Sequence, residues 1–275
     1  MPEISKISSV AIASIGKIFG IAKSSVGKFM GISAPAAGWE SNTKSIAFDG
    51  ANDHITTPDE VQTVDNCTIS IWFKSSKTSG FQNFFTKNDS LYYFATNNGK
   101  LYFKWVGTGV GVMHDEESWT SMCDGNWHHH VLVLVGGDRV ASEVRWYMDG
   151  SLEETIGANE EGYIYGYDTG VLGSGEWAIG HYNGRNTFNG SIDEVAVWHG
   201  VELDADAIAA IYNSGTPIDL SVDSGNYDNS GDLSHWWRMG DGDTYPTITD
   251  NEGSNHGTMT NMSSGDIVED VPSAD

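Results

Sequence analysis

From Thr68 to His199 the apolar runs of this chain stop within about ten residues at a turn signal. That spacing admits strands and excludes long helices. "TISIWFK" (Thr68–Lys74) alternates, placing Ile69, Ile71 and Phe73 on one face and Thr68, Ser70, Trp72 and Lys74 on the other. "LYYFAT", the turn Asn97-Asn98-Gly99 and "KLYFKWV" read as a hairpin. "HHHVLVLV" (His128–Val135) is apolar on both faces beyond its histidines, as a central strand would be. "SEVRWYMDG" ends on an Asp149-Gly150 turn, and "WAIGHY" and "GSIDEVAVWH" complete the set. One short helix is expected over Ala205–Tyr212, capped by Asp204 and stopped by Asn213-Ser214-Gly215. The expected fold is therefore an all-β, two-sheet antiparallel sandwich with one short helix.

Composition agrees. The 275 residues are 39% hydrophobic and 11% aromatic, with 33 Gly and 6 Pro, which suits a globular β-rich protein. Net charge is −24, unevenly spread. Residues 1–44 carry five Lys against Glu3 and Glu40, so the rest of the chain holds −27. A body that acidic repels phosphate backbones, which argues against a nucleic-acid partner. Two cysteines, Cys67 and Cys123, are too few for a disulfide framework. They read as buried thiols that fit a reducing compartment, with a single pairing as the alternative.

Several stretches together resemble the laminin-G-like, concanavalin A-like jelly roll. They are "SIAFDGANDHITTPD", "CTISIWFK", "DGNWHHHVLVLV", "WYMDGSLEET" and "FNGSIDEVAVWHGVELDADAIAAIYNSG", in the order and spacing of that family over residues 45–215. The resemblance implies two antiparallel sheets, often a calcium site, and glycan or protein binding. Members commonly open with an element that is missing here ahead of "FDG". A similar one lies at the end, "LSHWWRMGDGDTYPTITDNEGSNHGTMTNM" (Leu233–Met262). The expectation is a circularly permuted sandwich in which residues 216–275 complete the domain and carry an acidic tail. A partial second domain and an independent tail are the alternatives.

Residues 1–33 repeat at a shift of eleven. Lys6, Lys17 and Lys28 coincide, as do Ile4, Ile15 and Val26, then Ile7, Ile18 and Phe29, then Val10, Ile21 and Ile32. Lysines interrupt the apolar run too often for a signal peptide or a membrane span. Two glycines per unit weaken a helix. Short extended pieces joined by turns fit better, and their apolar side needs identical neighbours or a host surface to cover it. The expected element is a repetitive β stalk that makes a homotrimer, with a loose amphipathic tail as the alternative. Residues 34–44 read as a linker. The repeat resembles the "I-x-K-V-N-G-V-A-I-A" type of tailed, especially marine, phage virion proteins, with Ser-Ser, Phe-Gly and Met-Gly in place of Asn-Gly. That resemblance implies a virion protein, a fibre, decoration or appendage subunit, docked to other virion proteins through residues 1–33 and assembled in the host cytoplasm. The rival is a bacterial carbohydrate-binding module or adhesin lectin.

Three candidate chemistries remain. His128 and His130 share a strand face, but two imidazoles fall short of a zinc site, so the triplet reads as structural. Calcium wants six to eight oxygens on loops, and Asp49, Asp53, Asp193 and Asp250 are candidate ligands, with ordinary turn formation as the competing reading. For sugar contact the richest loop holds Tyr163, Tyr165 and Tyr167, joined by Tyr182 and Arg185, although rings buried at a sheet edge or interface would look the same. A glycosidase needs two carboxylates on one side of a cleft. Asp193 and Glu194 are adjacent and should face oppositely along a strand, so an enzyme is not expected. Neither a nucleophile elbow nor a phosphate loop occurs.

Overall fold

The computed structural model describes residues 17–18, 21–22, 41–58, 60–61, 66–87, 92–106, 111–114, 122–137, 140–157, 174–181 and 186–274. Two short pairs stand apart, Lys17–Ile18 with Ile21–Ala22 and Glu60–Val61 with Ser174–Gly175. The body is built from β1 (Ser45–Asp49), β2 (His54–Thr56), β3 (Cys67–Lys74), β4 (Phe81–Lys87), β5 (Tyr92–Asn97), β6 (Lys100–Val106), β7 (Gly111–His114) and β8 (Trp127–Gly137). There follow β9 (Val140–Met148), β10 (Ser151–Gly157), β11 (Trp177–Ile179), β12 (Asn189–His199), the helix α1 (Ala205–Tyr212), β13 (His235–Trp237), β14 (Thr247–Ile248), β15 (Gly257–Thr260) and β16 (Ile267–Val268).

These strands form two antiparallel sheets. The first runs β7-β6-β5-β4-β11-β2-β15-β14. The second runs β10-β9-β8-β3-β12-β1-β16, with β13 also on β12. Ile69, Ile71 and Phe73 of β3 point between the sheets, as their alternation requires, and meet Phe84, Phe85, Trp146, Trp177 and Trp237 there. Phe73 stacks on Phe84 at 4.3 Å and Phe85 on Trp177 at 4.6 Å. Each such ring, fully buried, contributes roughly 1.5–3 kcal/mol. The opposite face of the second sheet is covered too. Val131, Val133, Ala196 and Trp198 pack there against Leu203, Ala207, Ile208 and Ile211.

The local signals act as expected. Asp204 accepts from the Ala207 amide at 2.8 Å and starts α1, and Asn213 ends it in the left-handed region. Asn98 and Gly99 take φ of 53° and 78°, the geometry of a tight hairpin turn between β5 and β6. Both cysteines are buried thiols.

Two features go beyond the alternation rule. Asp193 and Glu194 do not face oppositely across the sheet; both are buried, because the register of β12 against β3 slips between Asp193 and Ala196 and Glu194 adopts φ 45°. The C-terminal strands also join both sheets. Trp237 pairs with Val195, Met259 with Ile55, and Ile267 with Ile46.

Candidate functional site

The second sheet's outer face is left open beyond the end of α1, and a cleft of about 700 Å³ lies there. Five segments build it. β3 brings Trp72 and Lys74, both on the outward phase of the strand. β8 pairs beside it in the register Trp127↔Lys74 and His129↔Trp72, which sets the indole of Trp127 next to Lys74. The turn after β9 supplies Asp149. Its two residues, Asp149 and Gly150, take φ of 47° and 76°, and a side chain at Gly150 would run into the ring of Tyr212. The end of α1 supplies Tyr212, Ser214 and Gly215, and the chain returns at Ser273 and Ala274 to close one wall. The Ala274 amide donates to Thr216 Oγ1 at 3.2 Å and holds that return in place.

The floor is a stack. Trp72 lies 4.7 Å from His129 and 5.7 Å from Tyr212, with both pairs close to parallel. Trp127 and Tyr212 are half-buried, so each keeps part of a ring at the cleft. Asp270 orients Trp127 by accepting from Nε1 at 3.1 Å, and it binds Lys74 Nζ at 3.0 Å.

His128 is the second organiser. Its Nδ1 lies 2.9 Å from Asp149 Oδ2 and its Nε2 lies 3.2 Å from Asp124 Oδ1. Satisfying both carboxylates takes a proton on each nitrogen, the imidazolium form. The bond to Asp149 accordingly raises the His128 pKa against the opposing effect of burial. Burial alone would push the Asp149 carboxyl up, but its bonds to His128 and to the His129 amide leave it below the usual range. His129 and His130 are different. Burial drives both down to about 3, so they are neutral packing residues. His129 bonds Ser70 Oγ at 2.8 Å, and His130 lies 5.1 Å from the Phe73 ring.

The sequence-expected aspartates fall elsewhere. Asp49 and Asp53 share one loop, where Asp53 Oδ2 accepts from the Asp49 amide and Asp49 Oδ1 from the Ala51 amide. Burial raises the Asp53 carboxyl. Asp250 organises its own loop, accepting from His235 Nδ1 at 2.8 Å and from the amides of Trp236, Gly253 and Asn255. Burial opposes its ionisation, yet these donors bring it to about 2. Asp193 accepts from Asn42 Nδ2 at 2.8 Å and from the Glu194 amide. Glu194 accepts from Trp236 Nε1 and faces Arg238, which also faces Asp241. The Asp49–Asp53 loop, Asp193 and Asp250 are thus held by separate partner sets. Among the described residues no three His, Cys, Asp or Glu converge as a metal site needs. Tyr163, Tyr165, Tyr167, Tyr182 and Arg185 lie outside the described residues, as do the side chains of Ile4, Ile7, Val10, Ile15, Ile18, Ile21, Val26, Phe29 and Ile32.

The cleft residues themselves were partly visible. Strand alternation puts Trp72 and Lys74 outward, and the Asp149-Gly150 turn is legible. Nothing in local pattern brings Trp127 to Asp270, which is 143 residues away.

Two antiparallel sheets packed face to face, with the helix on one outer face, define a jelly-roll sandwich. The chain belongs to the concanavalin A-like lectin/glucanases superfamily, whose laminin-G model matches residues 49–209. A Bacteroides ovatus protein assigned to carbohydrate binding superposes with a TM-score of 0.58 at 18% identity, over 88% of this chain and 63% of that one. This chain therefore spans less than two thirds of that protein's length. The pentraxin of Limulus polyphemus gives 0.47 at 14% identity, over 80% and 97% of the two chains. Domain 4 of the arabinanase AbnA of Geobacillus stearothermophilus, solved with arabinotriose, gives 0.44 at 16% identity, over 60% and 74%. No match was found among curated proteins.

Proposed function

We propose that the chain is a carbohydrate-binding module and that the cleft beside α1 is its sugar site. The observation that carries this reading is the cleft's make-up: the half-buried rings of Trp127 and Tyr212 beside Asn126, Asp149, Ser214 and Ser273. Sugar rings stack their C–H faces on aromatic planes while their hydroxyls need donors and acceptors close by. The rings are held in place before any ligand arrives, Trp127 by Asp270 and Tyr212 by its stack on Trp72. Such preorganisation lowers the ordering cost of binding. The superfamily and the carbohydrate-binding assignment of the Bacteroides protein agree with this reading. Trp127→Ala should weaken binding to any sugar the protein holds by tenfold or more, ~1.4 kcal/mol. Calorimetry on the folded variant, with Asn126→Ala as an exposed companion change, measures it. Unchanged affinity in both variants places the site elsewhere.

The eleven-residue repeat supports a second level of the reading. We infer that residues 1–33 join three copies and dock them to a phage particle, so that residues 45–274 are displayed outward. Light scattering and particle incorporation of a chain lacking residues 1–33 test this. The expected outcome is a folded monomer missing from purified particles, and a trimer that survives the deletion ends the role given to the repeat.

A further inference from the structure

Resting on the reading of the cleft as a sugar site, we propose that it accepts neutral or amino-bearing saccharides and turns away acidic ones. The Lys74 cation at its wall is already held by a carboxylate of the same chain, its Nζ lying 3.0 Å from both Oδ1 and Oδ2 of Asp270. Asp149, which also lines the cleft, already pairs with His128 at 2.9 Å. A sialic or uronic carboxylate entering the cleft would have to displace Asp270 from Lys74 or approach Asp149 against like charge. The wider field works the same way, since the chain carries a net charge of −24. An amino group meets the opposite situation, because Asp149 lines the cleft and a carboxylate oxygen can accept more than the single bond each of its oxygens makes here, to His128 and to the His129 amide. A neutral ring needs only the aromatic faces and the amide and hydroxyl groups of Asn126, Ser214 and Ser273.

The experiment sets the full chain, Asp270→Asn and Lys74→Gln on an array of neutral, amino-bearing, sialylated and uronate-bearing oligosaccharides, followed by titration of the hits. Asparagine at 270 keeps an oxygen for Trp127 Nε1 and removes the charge that holds Lys74. The wild-type chain is expected to bind neutral or amino-bearing glycans only. Asp270→Asn should gain affinity for acidic glycans by about fivefold, and Lys74→Gln, which leaves Asp270 without its counter-charge, should gain none. Acidic glycans bound by the wild-type chain would overturn the charge selection while keeping the sugar site. Asp270→Asn that keeps its neutral ligands and gains nothing for acidic ones would also overturn it. A chain that binds no glycan of any class ends the sugar reading itself, and this inference with it.

Discussion

Glu194 is 2% exposed, at a positive φ, beside the equally buried Asp193. Burial raises its pKa to about 7, against the pull of Arg238 and the Trp236 indole, and burial with the Glu194 charge pushes Asp193 well up too. Because the folded value lies above the ordinary 4.5, the folded state binds more protons than the unfolded chain between those values. Stability therefore falls as pH rises through that window. Glu194→Gln keeps an acceptor for Trp236 and removes the titration. Between pH 5 and 8 the wild-type chain should lose on the order of 2 kcal/mol more than the variant. Denaturant midpoints at the two pH values measure this, and parallel profiles would refute it. Asp250 has the opposite sign. Held at about 2, it stabilises above its ordinary value and loses that contribution only as pH falls from near 4 towards 2. The sequence displays Asp193, Glu194 and Asp250 as similar acids. What separates them is how strongly burial opposes each charge, whether a second acid lies beside it, and how many N–H groups it meets, and all three depend on the folded backbone.

At the scale of elements, β12 is the strand on which the second sheet turns. It pairs with β3, β1 and β13. Gly190 of β12 lies against the β3 backbone: at φ 148° an added Cβ would overlap the Lys74 carbonyl oxygen and press on the Phe188 ring. Gly190→Ala should cost about 2–4 kcal/mol. Gly200→Ala, also at positive φ but with open space around it, should cost only about 1 kcal/mol. Denaturant unfolding of the pair decides it, and equal losses would mean that the close approach is relieved cheaply. The strands, the hairpin at Asn98 and the helix cap were legible because each depends on neighbours within a few residues. The slip at Asp193 to Ala196 was not, since a strict two-residue period predicts opposite faces and only the partner strand reveals the extra residue. Lys74 and Trp127 likewise reveal nothing of Asp270 until the sheet sets them side by side.

At the scale of the whole body, residues 42–45 are tied to segments far along the chain. Thr43 donates to Asp241 from both its amide and its hydroxyl, Asn42 bonds Asp193, Lys44 pairs with Glu269, and Ser45 Oγ donates to the Asp270 carbonyl. β1 then runs between β12 and β16, paired to both. The two-sheet sandwich was readable from turn spacing and the jelly roll only through the family resemblance, whereas this closure is a relation between residues some 200 positions apart that no local pattern displays. Its consequence is mechanical. A pull arriving along the chain from residue 41 cannot strip off a first strand hydrogen bond by hydrogen bond, as it could from a free sheet edge. It meets two ladders and four side-chain ties together, and one of those ties, from Ser45 Oγ to the Asp270 carbonyl, ends on the residue that orients Trp127 in the cleft.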